Sequence, residues 1–136
     1  MSPPEPMLSC SAHRWPEGGE WVLQSKWDGF RLLTEVDADR RVRAWSRRGT
    51  SLTARLGGLT AAFAEALPGS VFDGEVVVVS ERDGRPVQDF AAVCRAVLRG
   101  DARAAEALRF VGFDVLALDG ENLRDRTWTE RNFEAD

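Results

Sequence analysis

Val71-Phe72-Asp73-Gly74-Glu75-Val76-Val77-Val78-Val79 is the stretch from which the fold is read. Valine is stiff at χ1 and suits a pleated surface, so four in a row predict a buried strand. Side chains alternate along a strand, which places Asp73, Glu75, Val77 and Val79 on one face and Phe72, Val76 and Val78 on the other. Two carboxylates on so apolar a strand are costly unless a cation or hydrogen-bond donors meet them. A metal ion, a ribose hydroxyl or an internal arginine would each do so. Gly74 between them admits close approach of another group.

Working upstream, Leu56, Leu59, Phe63 and Leu67 recur at helical spacing, and Pro68-Gly69 stops that helix. Before it, Arg41-Val42-Arg43-Ala44-Trp45-Ser46 reads as a strand entered from an Asp39-Arg40 turn, and Arg47-Arg48-Gly49-Thr50 closes it as a loop. Two arginines before a glycine suit a phosphate or ribose, and equally a solvated loop. Earlier still, Trp21–Ser25 and Phe30–Val36 read as two strands, with Asp28-Gly29 as the hairpin signal between them. Residues 1–19 hold four of the six prolines and read as an extended lead-in.

Downstream, Asp83-Gly84 turns the chain and Asp89 has the chemistry of a helix N-cap. Phe90, Val93, Cys94, Val97 and Leu98 follow the i, i+3, i+4, i+7, i+8 rule, predicting an amphipathic helix over 89–99. Residues 100–108 are alanine-rich and predict a short, mostly exposed helix, Phe110–Leu118 a strand, and Thr127–Phe133 a last helix. The order of elements implies an α+β fold of mostly antiparallel sheet.

Within this frame Lys26-Trp27-Asp28-Gly29-Phe30-Arg31 stands out chemically, because Lys26 is the only lysine among 18 basic residues. Arginine stays protonated, whereas a lysine amine can lose its proton and act as a nucleophile. On this reading Lys26 ends a strand with Gln24 on the same face. The alternative is a solvated lysine beside a turn.

Composition excludes several classes. The 136 residues make one domain or part of one, 43% hydrophobic and 29% charged, as in soluble globular chains. A net charge of -4 and a pI near 5.1 supply no global positive field for nucleic acid. Cys10 and Cys94 are far apart and His13 is alone, so neither a disulfide framework nor a Cys/His metal site is expected. No signal peptide or bilayer-length apolar run is read, which makes a cytoplasmic, reduced protein the expectation. Neither GxxxxGK[ST] nor GxGxxG occurs.

Taken together, the motifs resemble the adenylation (nucleotidyltransferase) domain of ATP-dependent DNA ligases, especially the bacterial repair type. Lys26-Trp27-Asp28-Gly29-Phe30-Arg31 matches the KxDGxR element, and Ser46-Arg47-Arg48-Gly49 is similar to the arginine loop that follows it. Phe72-Asp73-Gly74-Glu75 resembles the acidic strand element and Phe113-Asp114-Val115-Leu116 the next aromatic one. Pro6-Met7-Leu8 and Arg126-Thr127-Trp128-Thr129-Glu130-Arg131 also look like family sequence.

The resemblance implies ATP and Mg²⁺ as cofactors and a covalent lysyl-AMP formed on Lys26. It implies that Arg31 and Arg47 hold ribose or phosphate, that Glu75 binds a ribose hydroxyl or helps position the metal, and that Phe113 stacks on adenine. Gln24 stands by the base edge, where many relatives have Glu. The partner implied is nicked double-stranded DNA, sealed in repair or recombination. The family pattern continues with a further acidic strand, a lysine-bearing element and an OB-fold domain. The expectation is therefore a C-terminally truncated adenylation domain over 20–136, with a separate ligase segment as a possible partner and an uncovered sheet face or edge. A ligase remnant that at most binds ATP or AMP is the alternative. RNA ligases and mRNA-capping enzymes share the KxDG core.

Overall fold

The structure is a computed structural model describing residues 2–133; Met1 and residues 134–136, at the ends of the expected lead-in and of the expected domain, lie outside the described residues. The strands are β1 (Phe30–Val36), β2 (Val42–Ser46), β3 (Ser70–Val77), β4 (Val79–Arg82), β5 (Arg85–Gln88), β6 (Arg109–Leu118) and β7 (Glu121–Asn122). The helices are α1 (Leu59–Ala64), α2 (Phe90–Val97), α3 (Ala102–Ala105) and α4 (Trp128–Phe133), with a 3-10 turn over Thr53–Arg55. Five strands form one antiparallel sheet in the order β2-β1-β3-β6-β7, and β4 and β5 form a separate hairpin. The fold is α+β, and the valine-rich stretch supplies its central strand.

Alternation holds through that strand. Val76 and Val78 enter the helix-covered core with Leu32, Val36, Leu56, Phe63, Val93 and Leu108, while Asp73 and Glu75 lie on the opposite face. Full burial of a residue such as Leu32 stabilises the fold by about 1.5–3 kcal/mol. Val79 leaves the sheet and opens the β4–β5 hairpin. The hairpin turn needs two left-handed residues, and Asp83 (φ 52°) and Gly84 (φ 72°) provide them. In the β1–β2 turn Arg40 has φ 61°, and the Asp37 carboxylate accepts from the amides of Asp39 and Arg41.

The helices depart from the expected pattern in detail. Asp89 caps α2, its carboxylate accepting from the Ala92 amide at 2.9 Å. The buried face of α2 is Ala92, Val93, Ala96 and Val97, so the helix is rotated toward its alanines and leaves Phe90 and Leu98 exposed. Small residues let α2 pack closely, which the count of large apolar side chains did not weigh. α1 ends at Ala64, and Leu67 stands exposed in the following loop. α4 begins with a capping box: the Thr127 amide donates to the Glu130 carboxylate at 2.7 Å, and the Glu130 amide to the Thr127 hydroxyl at 3.4 Å.

The lead-in crosses the second face of the sheet. Arg31 of β1 donates to the Met7 carbonyl at 3.0 Å, and Ser2, Pro4 and Glu5 line a shallow cavity together with Glu35, Val71 and Arg124. Trp21–Ser25, expected as a strand, is irregular and exposed, and Asp28-Gly29 is not a hairpin turn. Strand propensity there has no partner strand among the described residues, and an unpaired strand is not stable in water.

Candidate active site

Gly29 explains how the lysine loop meets the sheet. A Cβ at Gly29 would lie 2.0 Å from the Val76 carbonyl oxygen, so only glycine lets the loop rest against β3 there. Three residues earlier, the exposed Lys26 stands at the wall of a cavity of about 650 Å³. Arg31, Arg47, Arg48 and Glu75 line the same cavity, with Ser46, Thr50, Leu8 and Leu98 completing much of its rim. This volume suits a small organic ligand, and its four cationic side chains suit a polyanionic one.

The arginine loop is shaped by its own serine. The Ser46 hydroxyl oxygen accepts from the amides of Arg48 and Thr50, and Gly49 takes φ 82° to close the turn. Both Arg47 and Arg48 are thereby presented to the cavity, where the sequence had singled out Arg47.

Asp73 and Glu75, alike in sequence, differ in environment. Asp73 is met by an internal arginine: Arg31 donates through Nε at 2.5 Å and Nη2 at 2.6 Å. The bond to Asp73 raises the guanidinium's pKa above its ordinary value, against the opposing effect of burial. The Phe113 ring lies under the same guanidinium, 4.8 Å from ring centroid to Cζ. With Nη2 also bonded to Met7, the Nη1 edge of Arg31 takes part in none of these bonds. Glu75, directly opposite Arg31 in the register, has one buried oxygen, Oε2, without a hydrogen-bond partner. Burial raises its pKa, while the charges of Lys26 and Arg31 and the Gly29 amide pull the other way. Gly74 admits not a ligand but the chain itself: a Cβ there would lie 2.3 Å from the Val111 carbonyl and 2.5 Å from the Phe110 ring.

The fold thus gathers Lys26, Arg31, Arg47 and Glu75 around one cavity. Gln24 is exposed outside its walls, and Phe113 borders it only through Arg31. No three Asp, Glu, His or Cys side chains converge as a metal cage among the described residues. One carboxylate with an unsatisfied buried oxygen fits a Mg²⁺ that arrives with a nucleotide's phosphates, because Mg²⁺ needs few protein ligands when phosphates and water supply the rest. Sequence reasoning missed Asp73 as the partner of Arg31. The signal was present as two oppositely charged residues on neighbouring strands, but the register that joins them was not readable.

A lysine, three arginines and a carboxylate thus line one cavity beside the inner strands β1 and β3, a set suited to a polyanionic ligand, and the comparisons say which family the chain belongs to. Residues 6–133 match the family model of the ATP dependent DNA ligase domain. The chain belongs to the ATP-dependent DNA ligase family. It is 40% identical over 117 residues to the multifunctional non-homologous end joining protein LigD of Pseudomonas aeruginosa, covering 85% of this chain and 13% of that protein. It is 37% identical to DNA ligase C1 of Mycolicibacterium smegmatis over 131 residues, 90% of this chain and 37% of that one. Among solved structures, the ligase domain of M. tuberculosis LigD superposes with a TM-score of 0.64 at 34% identity, over 82% of this chain and 34% of that chain. A mycobacterial DNA ligase D complexed with ATP and MES gives a TM-score of 0.62 at 33% identity, with the same coverage. The chain therefore spans well under half the length of these relatives.

Proposed function

We propose that the chain is the nucleotide-activating part of an ATP-dependent DNA ligase, with Lys26 as the nucleophile. The observation that carries this reading is the convergence of the only lysine in the sequence with Arg31, Arg47 and Glu75 on one cavity. Lys26 Nζ, once deprotonated, attacks the α-phosphorus of ATP; a P–N bond forms, the bond to the bridging oxygen breaks, and pyrophosphate leaves. Arg31, through its free Nη1 edge, and Arg47 hold phosphate or ribose oxygens, and Glu75 accepts from a ribose hydroxyl through its unpartnered oxygen. Mg²⁺, when bound with ATP, neutralises phosphate charge. Positioning and charge stabilisation then do most of the catalysis, as in other in-line displacements at phosphorus. Phe113 on adenine and Gln24 at the base edge enter this proposal on the family resemblance alone. In the later steps AMP passes to the 5′-phosphate of nicked duplex DNA, and the 3′-hydroxyl displaces it to seal the strand.

The test is incubation with α-labelled ATP and Mg²⁺, followed by denaturation and gel analysis beside Lys26→Ala. Acid-labile label on the wild type and none on the variant is the expected result. Folded wild type without label, or equal label on both, overturns the proposal.

A further inference from the structure

Lys26 lies in a segment with no strand or helix from residue 2 to residue 29. Upstream of it Trp21, Val22 and Leu23 are exposed, and the lead-in is tied to the sheet further back, where Arg31 donates to the Met7 carbonyl. The contacts nearest to the lysine along the chain lie on its downstream side, through residues 28–30. There are three. The Asp28 amide donates to Oε1 of Gln88, across 60 residues of sequence. Gly29 rests on the Val76 carbonyl. The Phe30 ring stacks on that of Phe90, with centroids 5.6 Å apart and planes 11° from parallel.

Gln88 and Phe90 flank Asp89, and Asp89 is itself locked. Its amide donates to the Val78 carbonyl at 2.8 Å, and its carboxylate caps α2 and accepts from the Ser80 hydroxyl at 3.2 Å. Hairpin, cap and helix start are therefore tied at one residue, and the side chains on either side of it point at the lysine loop. Phe90 has no comparable place in the core and is 40% exposed, so core packing does not explain an aromatic residue there.

We propose that Gln88 and Phe90 are positioning residues that fix the lysine loop, and with it the Lys26 amine, relative to the cavity. The inference rests on the reading of Lys26 as nucleophile for its catalytic consequence, but not for its structural one. A displacement of the amine by about 1 Å is enough to cost up to a hundredfold in a step governed by near-attack geometry.

The experiment uses Gln88→Met, which keeps length and loses the acceptor, and Gln88→Glu, which restores an acceptor. Phe90→Ala and Phe90→Tyr form the matching pair for the ring. Amide hydrogen exchange followed by NMR is expected to show Asp28 exchanging about tenfold faster in Gln88→Met, with protection in β3 unchanged and the loss reversed in Gln88→Glu. In the lysyl-AMP assay, Gln88→Met and Phe90→Ala are expected to lower the maximal rate about tenfold with the KM for ATP changed less than twofold, and the conservative partners to recover most of it. Unchanged exchange at Asp28 in Gln88→Met overturns the platform whether or not the chain labels. An unlabelled wild type with altered exchange overturns the reading of Lys26 and leaves the platform standing. A raised KM at an unchanged rate would make Gln88 a nucleotide contact and overturn its positioning role.

Discussion

Asp73 and Asp114 face each other in register on β3 and β6, and each is gripped by the Nε and Nη2 of one arginine, yet the two pairs do different things. Arg131 reaches Asp114 from α4 at 2.7 and 2.8 Å, with both side chains only 9% exposed, and donates its remaining edge to the Arg126 carbonyl at 2.6 Å. Every contact of that pair is internal, and it fastens a helix to the sheet. Arg31 makes the same fork to Asp73, but its side chain is 19% exposed, borders the cavity and also holds the Met7 carbonyl. A buried bidentate pair is thus not in itself the mark of a site. What the arginine has left over, and what that remainder faces, decides its use.

The sharpest way to break the comparison is to remove each arginine. Arg131→Ala leaves the Asp114 carboxylate buried and unpaired, which costs about 3–5 kcal/mol. A denaturant midpoint well below that of the wild type is the expected result. Arg131→Lys recovers only part of it, because an ammonium cannot reproduce the fork. A loss under 1 kcal/mol would mean that water reaches Asp114, and the contrast between the two pairs would collapse.

Arg31→Ala is expected to cost less, about 2–3 kcal/mol, since the site borders solvent and water can reach part of what is exposed. Its distinctive effect is elsewhere. The Met7 carbonyl loses its donor, so limited proteolysis is expected to cut the first ten residues several times faster, and nucleotide affinity falls. Arg131→Ala, assayed at a temperature where it remains folded, leaves both unchanged. Equal effects of the two variants on proteolysis and on nucleotide binding would show that Arg31 is no more than a second internal lock.

How far the sequence carried this contrast depends on the range of each signal. Local signals were legible: the Asp83-Gly84 turn, the Asp89 cap, the alternation from Phe72 to Val78 and the α+β order appear as read, whereas Val79, expected on the same strand, begins the separate hairpin. The convergence of Lys26, Arg31, Arg47 and Glu75 on one cavity followed from the motif resemblance. Pairings across strands were not legible. Nothing local says that Arg31 prefers the diagonal Asp73 to the directly opposed Glu75, or that Gln88 holds Asp28. Trp21–Ser25 shows the converse limit, since β propensity forms no strand without a partner to pair with. Gly74 shows a third, because a glycine's open space is read from sequence while its occupant, here Phe110, is not.

The smallest effect expected is also the one that best separates the two neighbourhoods. Burial holds the Glu75 carboxyl above its ordinary pKa in the folded chain, so between the ordinary value and the raised one the folded state binds more protons than the unfolded state. Stability then falls as pH rises through that window and stays lower above it. Glu75→Gln removes the cost, so at pH 7 it is expected to melt about 1–3 °C above the wild type, with the advantage vanishing near pH 4. Because the charge on Arg31 offsets part of that cost, the gain from Glu75→Gln should grow in an Arg31→Ala background. It should stay the same beside Arg131→Ala, whose guanidinium is committed to Asp114 and is not among the charges acting on Glu75. A gain that grows equally in both backgrounds would show general loosening of the sheet, and the two arginines would no longer be distinguished by what they face.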